Sequence, residues 1–231
     1  MQYNKDKAGK YNDASQKNVD TGMGVERTIA VLEGLEENYL TSCWKPIIEV
    51  IEKLSGKDYD NSSAKPKMRI IADHIKAAVF IINDGIIPGN AEQGYVLRRL
   101  IRRAIRNLRE LDVPLLEMDA TVEIAKAVID IYGDYDLNEK KIFEELKREE
   151  DQFQKTLDKG LREFRRMVDK DNQITSIEAF LLYQSYGFPI EMIKELATEQ
   201  RIKVDEKGFE KELAKHQDLS RTASAGKFKS G

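Results

Sequence analysis

Apolar residues recur at spacings of three and four along most of the chain, from Gly24 to Leu219. That spacing places apolar side chains on one face of a helix, whereas the alternation typical of half-buried strands is scarce. Clusters of glycine, proline, asparagine and aspartate interrupt the pattern, and such residues end helices or form turns. The sequence therefore predicts a mainly α-helical protein, with helices over residues 24–40, 43–55, 66–83, 94–111, 116–132, 138–169, 176–185, 190–200 and 205–219.

The first twenty residues differ from the rest of the chain. Met1–Asn4 and Ser15–Asp20 flank a segment that contains the turn formers Gly9, Asn12 and Asp13, so we expect two short strands joined by a loop. Two strands alone are only marginally stable in water. We therefore expect this hairpin to pair with strands supplied by another polypeptide or by an N-terminal portion of the same protein.

The helix expected over 138–169 carries an apolar stripe of near-heptad spacing that Glu149 and Glu150 interrupt. Such a stripe can form a dimerising coiled coil, or it can be a spine on which helices of the same chain pack. A short stripe with a central acidic gap makes a weak coiled-coil seam. This favours the spine.

Composition and charge narrow the possible functions. The 231 residues include 38 Lys and Arg and 41 Asp and Glu, a formal net charge of −3, so any surface for nucleic acid must be local. The single cysteine, Cys43, excludes a disulfide framework. With His74 and His216 as the only histidines, the chain has too few ligands for zinc, so we expect no metal site. The longest apolar stretch, Ala77–Ile82, is far too short to span a membrane. We expect a cytoplasmic protein without a membrane partner.

The first candidate site is the segment NVDTGMGVER, from Asn18 to Arg27. Gly22 and Gly24 allow a ligand to approach the backbone, Asp20 can bind an ammonium group, and Arg27 in the first helical turn can bind phosphate oxygens. The alternative is a glycine turn followed by a capped helix. The pattern alone leaves both open, since a full phosphate-binding loop is absent.

The second candidate is the helix expected over 94–111, which carries six arginines on one side and no acid between Gly94 and Arg109. The arginines are Arg98, Arg99, Arg102, Arg103, Arg106 and Arg109. Arginine makes bidentate contacts with phosphates. A solvated or internally paired helix face explains the same stripe equally well, because acids are abundant elsewhere in the chain.

Two further residues have weaker signals. Asn90 lies in the turn-rich loop before the arginine helix, and its amide can donate to and accept from a base edge, although asparagine is also a common turn residue. His74 is expected to pair with its surroundings in a helix rather than to act as a catalyst. The sequence contains no pattern of a catalytic triad or of a zinc protease.

Three segments together resemble one family, the alanyl-tRNA synthetases, which are class II aminoacyl-tRNA synthetases. NVDTGMGVER resembles the family's motif 3. The stretch ADHIKAAVFIINDGIIPGNAEQGYVLRRLIRRAIR, from Ala72 to Arg106, resembles its helical tRNA-binding region. LYQSYGFPIEM and IKVDEKGFEKEL resemble the C-terminal part of that region.

The resemblance implies roles in alanine activation. Asp20 matches the carboxylate that binds the α-ammonium group of alanine, and Gly22 lies in the floor of the alanine pocket. Gly24 and Arg27 match the strand-to-helix element in which the arginine contacts ATP, and this makes Arg27 the catalytic residue. ATP with Mg²⁺ is the implied cofactor set.

The resemblance also implies roles in tRNA(Ala) recognition. Asn90 matches the residue that recognises the G·U wobble pair near the end of the acceptor stem. Arg98, Arg99, Arg102 and Arg103 match the neighbouring basic helix, which is expected to contact the RNA backbone. Many family members carry an aspartate where this chain has Gln184, which lacks the charge and so puts tight discrimination of the wobble pair in doubt.

The resemblance covers an internal portion of the family's chain. It predicts the C-terminal end of a class II α/β aminoacylation domain over 1–42, an all-helical tRNA-binding domain over 43–219 and a flexible linker over 220–231. Motifs 1 and 2 and the zinc-binding editing domain fall outside, so the chain is either a fragment or one half of a split enzyme whose partner is the N-terminal catalytic portion. We expect the isolated chain to be inactive; the alternative is a non-catalytic RNA-binding module.

Overall fold

The computed structural model describes residues 2–19, 21–170 and 173–227, with side chains as far as residue 216. The chain divides into two compact units, Met1–Pro46 and Ile47–Gly231. The domain boundary expected after residue 42 stays a prediction.

The first unit opens with an antiparallel hairpin of β1 (Tyr3–Lys5) and β2 (Tyr11–Asp13), in which Tyr3 lies opposite Asp13. The second strand was expected at Ser15–Asp20, and this prediction is wrong because the turn is tighter than expected. The Asp6 carboxylate accepts hydrogen bonds from the turn backbone, and Gly9 takes the left-handed conformation with φ +85°. A Gly at this position closes the turn without steric cost.

The single helix expected over 24–40 is two elements, α1 (Val25–Leu32) and a short 3₁₀ helix (Asn38–Leu40). Gly34 has φ +66°, which a residue with a side chain rarely adopts. The amide of Leu35 donates to the carbonyl of Ala30 at 2.8 Å. This is the hydrogen-bond pattern of a glycine-terminated helix end, and it explains why α1 stops there.

The second unit is built from the remaining helices, which lie close to their predicted ranges. They are α2 (Lys45–Ser55), α3 (Lys65–Asn83), α4 (Glu92–Glu110), α5 (Ala120–Ile131), α6 (Glu139–Lys170), α7 (Ser176–Tyr186), α8 (Ile190–Glu199) and α9 (Glu206–Lys227). α9 extends into the segment expected to be a flexible linker from residue 220, and residues 228–231 lie outside the described residues.

A second pair of strands was not predicted. β3 (Gln173–Ile174) and β4 (Lys203–Val204) pair in parallel, and the amide of Asp205 donates to the carbonyl of Ile174 at 3.0 Å. A strand of two residues is too short to show alternation. The pair joins the chain before α7 to the chain before α9.

The core lies where α6 packs against α3, α4, α5 and α7. The apolar stripe of α6 is buried, with Ile142, Leu146, Phe153, Leu157 and Phe164 all at most 2% exposed. These contacts are made with helices of the same chain, so the spine interpretation is confirmed. Together the described helices make a mainly α protein. None of them is long and apolar enough to cross a membrane.

Candidate functional site

In the first unit, Gly24 precedes α1 in an extended conformation without a side-chain cap. Arg27 is exposed and lies against Gly24, since a Cβ built on that glycine would lie 3.6 Å from the Arg27 Cδ. Gly22 is exposed, with no atom within 4 Å of where its Cβ would be. The backbone before α1 is thus open to solvent at both glycines, and the first turn carries Glu26 next to Arg27. Asp20 lies outside the described residues.

In the second unit, an open cleft of about 530 Å³ is bordered by α4, α7 and α9. We call it the α4–α7 cleft. It is lined by four of the residues assigned to tRNA binding, Asn90, Arg98, Arg102 and Gln184, together with Tyr183 and His216. Asn90 comes from the loop before α4 and Gln184 from α7, so residues distant in sequence meet here.

Local sequence explains how α7 presents Gln184. Thr175 and Glu178 form a capping box that fixes the start of α7, and the Thr175 side chain accepts from the Glu178 amide at 3.3 Å. Gly187 ends the helix in the left-handed conformation with φ +71°. Gln184 therefore lies on the last turn of a helix that is fixed at both ends.

Each of the six arginines of α4 forms an ion pair within the second unit. The acidic partners are Glu110, Glu149, Asp158, Glu191, Glu195 and Glu199. Of the two interpretations of this stripe, the structure supports an internally paired face. The Arg99 and Arg103 side chains stay 35% and 32% exposed, whereas those of Arg102 and Arg106 are 12% and 3% exposed.

Glu149 is the buried partner of the two cleft arginines. Its Oε1 lies 2.6 Å from Nε of Arg102 and 3.2 Å from Nε of Arg98. One of the two acids in the α6 gap, Glu149, is therefore an ion-pair site inside the protein. Burial lowers the pKa of the Arg102 guanidinium, and the Glu149 charge opposes this shift. The sequence signal, acids centred in an apolar stripe, was interpreted only as a weak coiled-coil seam.

Glu150 serves a different purpose in the same helix. Its carboxylate accepts hydrogen bonds from the backbone amides of Ala120 and Thr121 at 3.2 and 2.9 Å. These are the first amides of α5, so Glu150 caps that helix from another part of the chain. This cap explains why α5 begins at Ala120 and not at residue 116 as predicted.

Arg99 and Arg103 lie away from the α4–α7 cleft. They line a separate cavity of about 400 Å³ with Glu191 and Glu195 of α8 and with His74. The four arginines assigned to tRNA binding thus divide between two surfaces, which the sequence did not predict.

His74 is buried and paired, as expected. Its Nδ1 lies 3.0 Å from Oδ2 of Asp73 and its Nε2 lies 3.0 Å from Nη1 of Arg103. The hydrogen bond with His74 lowers the pKa of the Asp73 carboxyl. The imidazole therefore links α3 to α4.

The two amides of the α4–α7 cleft have fixed partners. Asn90 Oδ1 accepts a hydrogen bond from Nη1 of Arg98, and Nε2 of Gln184 lies 3.2 Å from Nε2 of His216. Tyr183 is half-buried beside them, and burial raises the pKa of its phenol. Tyr183 and His216 were missed by the sequence analysis, because a lone aromatic residue or histidine has no distinguishing pattern there.

The chain matches a family model described as tRNA synthetases class II (A) over residues 1–230. It therefore belongs to the class II tRNA synthetases, and the class inferred from its motifs is confirmed.

Several similar proteins within this class are alanine-tRNA ligases. The chain is 44% identical to the alanine-tRNA ligase of Borrelia hermsii, with all of the chain aligned to 40% of that protein. It is 42% identical to the enzyme of Acaryochloris marina and 35% identical to that of Bacillus pumilus, and in each case 96% of the chain aligns to 26% of the relative. The chain thus spans roughly a quarter to two fifths of their length.

Proposed function

We propose that the chain carries the motif 3 segment and the acceptor-stem recognition surface of an alanine-tRNA ligase. The observation that carries this proposal is the α4–α7 cleft. It gathers Asn90, Gln184 and two arginines from separate elements of a chain that belongs to the class II tRNA synthetases. An open cleft with amide and guanidinium groups suits the wide, shallow minor groove of an RNA helix.

The reaction is the activation of alanine by ATP and the transfer of the aminoacyl group to tRNA(Ala). The alanine carboxylate attacks the α-phosphate of ATP and pyrophosphate leaves. Arg27 binds the phosphates beside Gly24 and stabilises the charge that develops on them. Gly22 and Asp20 complete the alanine pocket in this proposal.

Mg²⁺ enters with ATP and, when bound, neutralises charge on the phosphates. Among the residues that the structure describes, no group of three or more His, Cys, Asp or Glu side chains could hold a metal ion. The zinc of the family's editing domain is not expected in this chain.

The acceptor stem would enter the α4–α7 cleft with its G·U pair facing Asn90 and Gln184. A wobble pair leaves the guanine amino group free in the minor groove, where an amide oxygen can accept from it. Arg98 and Arg102 supply positive charge next to the same pair, and Arg99 and Arg103 supply it on the neighbouring surface. Arg99 and Arg103, whose ion pairs with Glu191 and Glu195 are partly exposed, would exchange these carboxylates for phosphates.

The N-terminal catalytic portion of the enzyme is the partner required for catalysis, either in the same chain or as a split subunit. By itself the chain is expected to form little or no alanyl-adenylate, and we place its activity in the cytoplasm. The second candidate is a non-catalytic RNA-binding module, which the grouping of Asn90, Gln184, Arg98 and Arg102 in one cleft of the second unit also fits.

Complementation distinguishes the two functions. The 231-residue chain is mixed with the N-terminal portion of the Borrelia hermsii relative, and alanylation of tRNA(Ala) is measured. The ligase function predicts alanylation by the mixture and by neither part alone, with loss of activity in the Arg27→Ala chain. Activity of the N-terminal portion with its own C-terminal portion, but never with this chain, would favour the binding module.

A further inference from the structure

Glu149 is a charged group in the core that the proposed function does not yet use. Its side chain is 1% exposed, it does not line the α4–α7 cleft, and both of its ion-pair partners, Arg98 and Arg102, do. A buried carboxylate loses its water of hydration. It is stable there only when the guanidinium groups provide hydrogen bonds and positive charge in place of that water. Its position is therefore tied to the positions of both arginines.

Each arginine connects Glu149 to a different wall of the cleft. Arg98 donates to Oδ1 of Asn90 and lies 3.4 Å from the Pro88 carbonyl, so it holds the loop before α4. Arg102 donates to the carbonyl of Gly187, the residue that ends α7.

The ring of Phe153 fixes Arg102 from the core side. The guanidinium carbon lies 5.0 Å from the ring centroid, within the range of a cation–π contact. Phe153 and Glu149 are four residues apart on α6, so a single helix positions both contacts to Arg102.

From these contacts we infer that Glu149 is a positioning residue for acceptor-stem recognition. Through Arg98 and Arg102 it sets the spacing between Asn90 on one wall of the α4–α7 cleft and Gln184 on the other. This inference rests on the proposed function. A base pair is recognised only when both groups are held at the correct separation, so loss of the buried charge affects selectivity more than affinity.

The test compares two acceptor-stem minihelices, one with a G·U pair and one with G·C at the same position. Their dissociation constants for the full 231-residue chain are measured for the parent and for Glu149→Gln. Glutamine keeps the shape but lacks the charge that holds two guanidinium groups. We measure selectivity as the dissociation constant of the G·C stem divided by that of the G·U stem. In Glu149→Gln this ratio should fall about tenfold, or about 1.4 kcal/mol, while binding of the G·C stem changes less.

Glu150→Gln is the matched control. Glu150 is adjacent in sequence and equally buried, at 1% exposed, but it caps α5 and contacts no cleft arginine in the structure. We expect this variant to keep the parent's selectivity. Equal loss of selectivity in both variants would show general damage to the core and would overturn the positioning role.

A double-mutant cycle with Asn90→Ala adds a readout that a purely structural role would not move. If Glu149 acts through Asn90, Glu149→Gln changes the selectivity of the Asn90→Ala chain less than that of the parent. Additive effects would contradict the inference.

Circular dichroism shows whether each variant is folded. If Glu149→Gln is unfolded, Glu149→Asp takes its place. The aspartate keeps the negative charge but has a shorter side chain. Glu149→Asp is then expected to lose selectivity as well, and parent selectivity in it overturns the inference.

The failures of the two proposals are distinguishable. If the parent chain binds both stems equally, the recognition function itself is wrong. If the parent discriminates and Asn90→Ala loses discrimination while Glu149→Gln keeps it, only the role of Glu149 is wrong.

Discussion

The guanidinium of Arg102 occupies the space where a side chain on Gly187 would lie, and its Nη1 donates to the Gly187 carbonyl. Gly187 also has φ +71°, a conformation that costs a residue with a Cβ about 1–2 kcal/mol. Glycine at residue 187 therefore lets the end of α7 approach the Arg102 guanidinium of α4 without displacing it.

Gly187→Ala should destabilise the protein by about 2 kcal/mol or more, because backbone strain adds to the displacement of Arg102. For a unit of this size the loss corresponds to a fall in Tm of about 4–8 °C.

Gly56→Ala is the control for this change. Gly56 has nearly the same φ, +65°, but no atom lies within 4 Å of where its Cβ would be. Thermal melting should show a smaller loss for Gly56→Ala, about 1 kcal/mol. Equal losses would show that Arg102 yields freely and does not fix the end of α7.

Glu150 predicts a pH dependence of stability. Burial raises the pKa of its carboxyl, and the hydrogen bonds from Thr121 and Ala120 oppose the shift only in part. The folded protein therefore keeps this proton at pH values where the unfolded chain has lost it. The contribution to the free energy of unfolding is present at low pH and is lost as the pH rises through the folded-state pKa.

Glu150→Gln cannot titrate, so the Tm of this variant minus that of the parent should become more positive as the pH rises above about 4, the ordinary range for a free Glu carboxyl. Glu117→Gln removes an exposed carboxylate from the same region and controls for net charge. If the Tm difference between Glu150→Gln and the parent stays constant, or falls as the pH rises, burial does not raise the pKa of the Glu150 carboxyl.

The carboxylates of α8 should compete with RNA for arginines. Oε1 of Glu191 lies 2.7 Å from Nη1 of Arg99, and both side chains are more than a third exposed. If Arg99 contacts phosphates, Glu191→Gln should tighten binding of tRNA(Ala) by about two- to fivefold at low salt, the size of an exposed ion pair of about 0.5–1 kcal/mol.

Glu144→Gln, which removes an exposed carboxylate from α6, is the control for the change in net charge. Binding should be measured from low to high salt, because phosphate contacts weaken as counterions compete. If Glu191→Gln binds no more tightly than Glu144→Gln, Arg99 is a structural residue.

Gln184→Asp tests the departure from the family pattern. A carboxylate accepts hydrogen bonds more strongly than an amide oxygen, so the variant should prefer a G·U stem over a G·C stem by about threefold more than the parent does. Ser185→Asp adds the same charge at the adjacent exposed residue, which does not line the α4–α7 cleft. An equal effect of both variants would mean that charge alone, and not the cleft, determines the preference.

Long periodic segments were predictable from the sequence, and short or distant relationships were not. α4 and α6 follow from their apolar spacing because each buries one face over many turns. The position of β2 depends on the few turn hydrogen bonds of Asp6, and no periodic pattern records them.

The candidate site was predictable only in part for the same reason. Asn90 and Gln184 were identified from motifs, but motifs say nothing of which arginines lie beside them. The partner of Arg98 and Arg102 is Glu149, about fifty residues along the chain, and a pairing over that distance depends on how α4 and α6 pack. The separation of Arg99 and Arg103 from the cleft likewise depends on where α8 packs.

The most direct test of the account is the binding of the two minihelices to the parent chain and to Asn90→Ala. Recognition of the acceptor stem predicts tighter binding of the G·U stem by the parent. In Asn90→Ala that preference should fall about fivefold, the net contribution of about one hydrogen bond, while binding of the G·C stem changes little. Equal losses for both stems in Asn90→Ala, or no preference in the parent, would contradict the account.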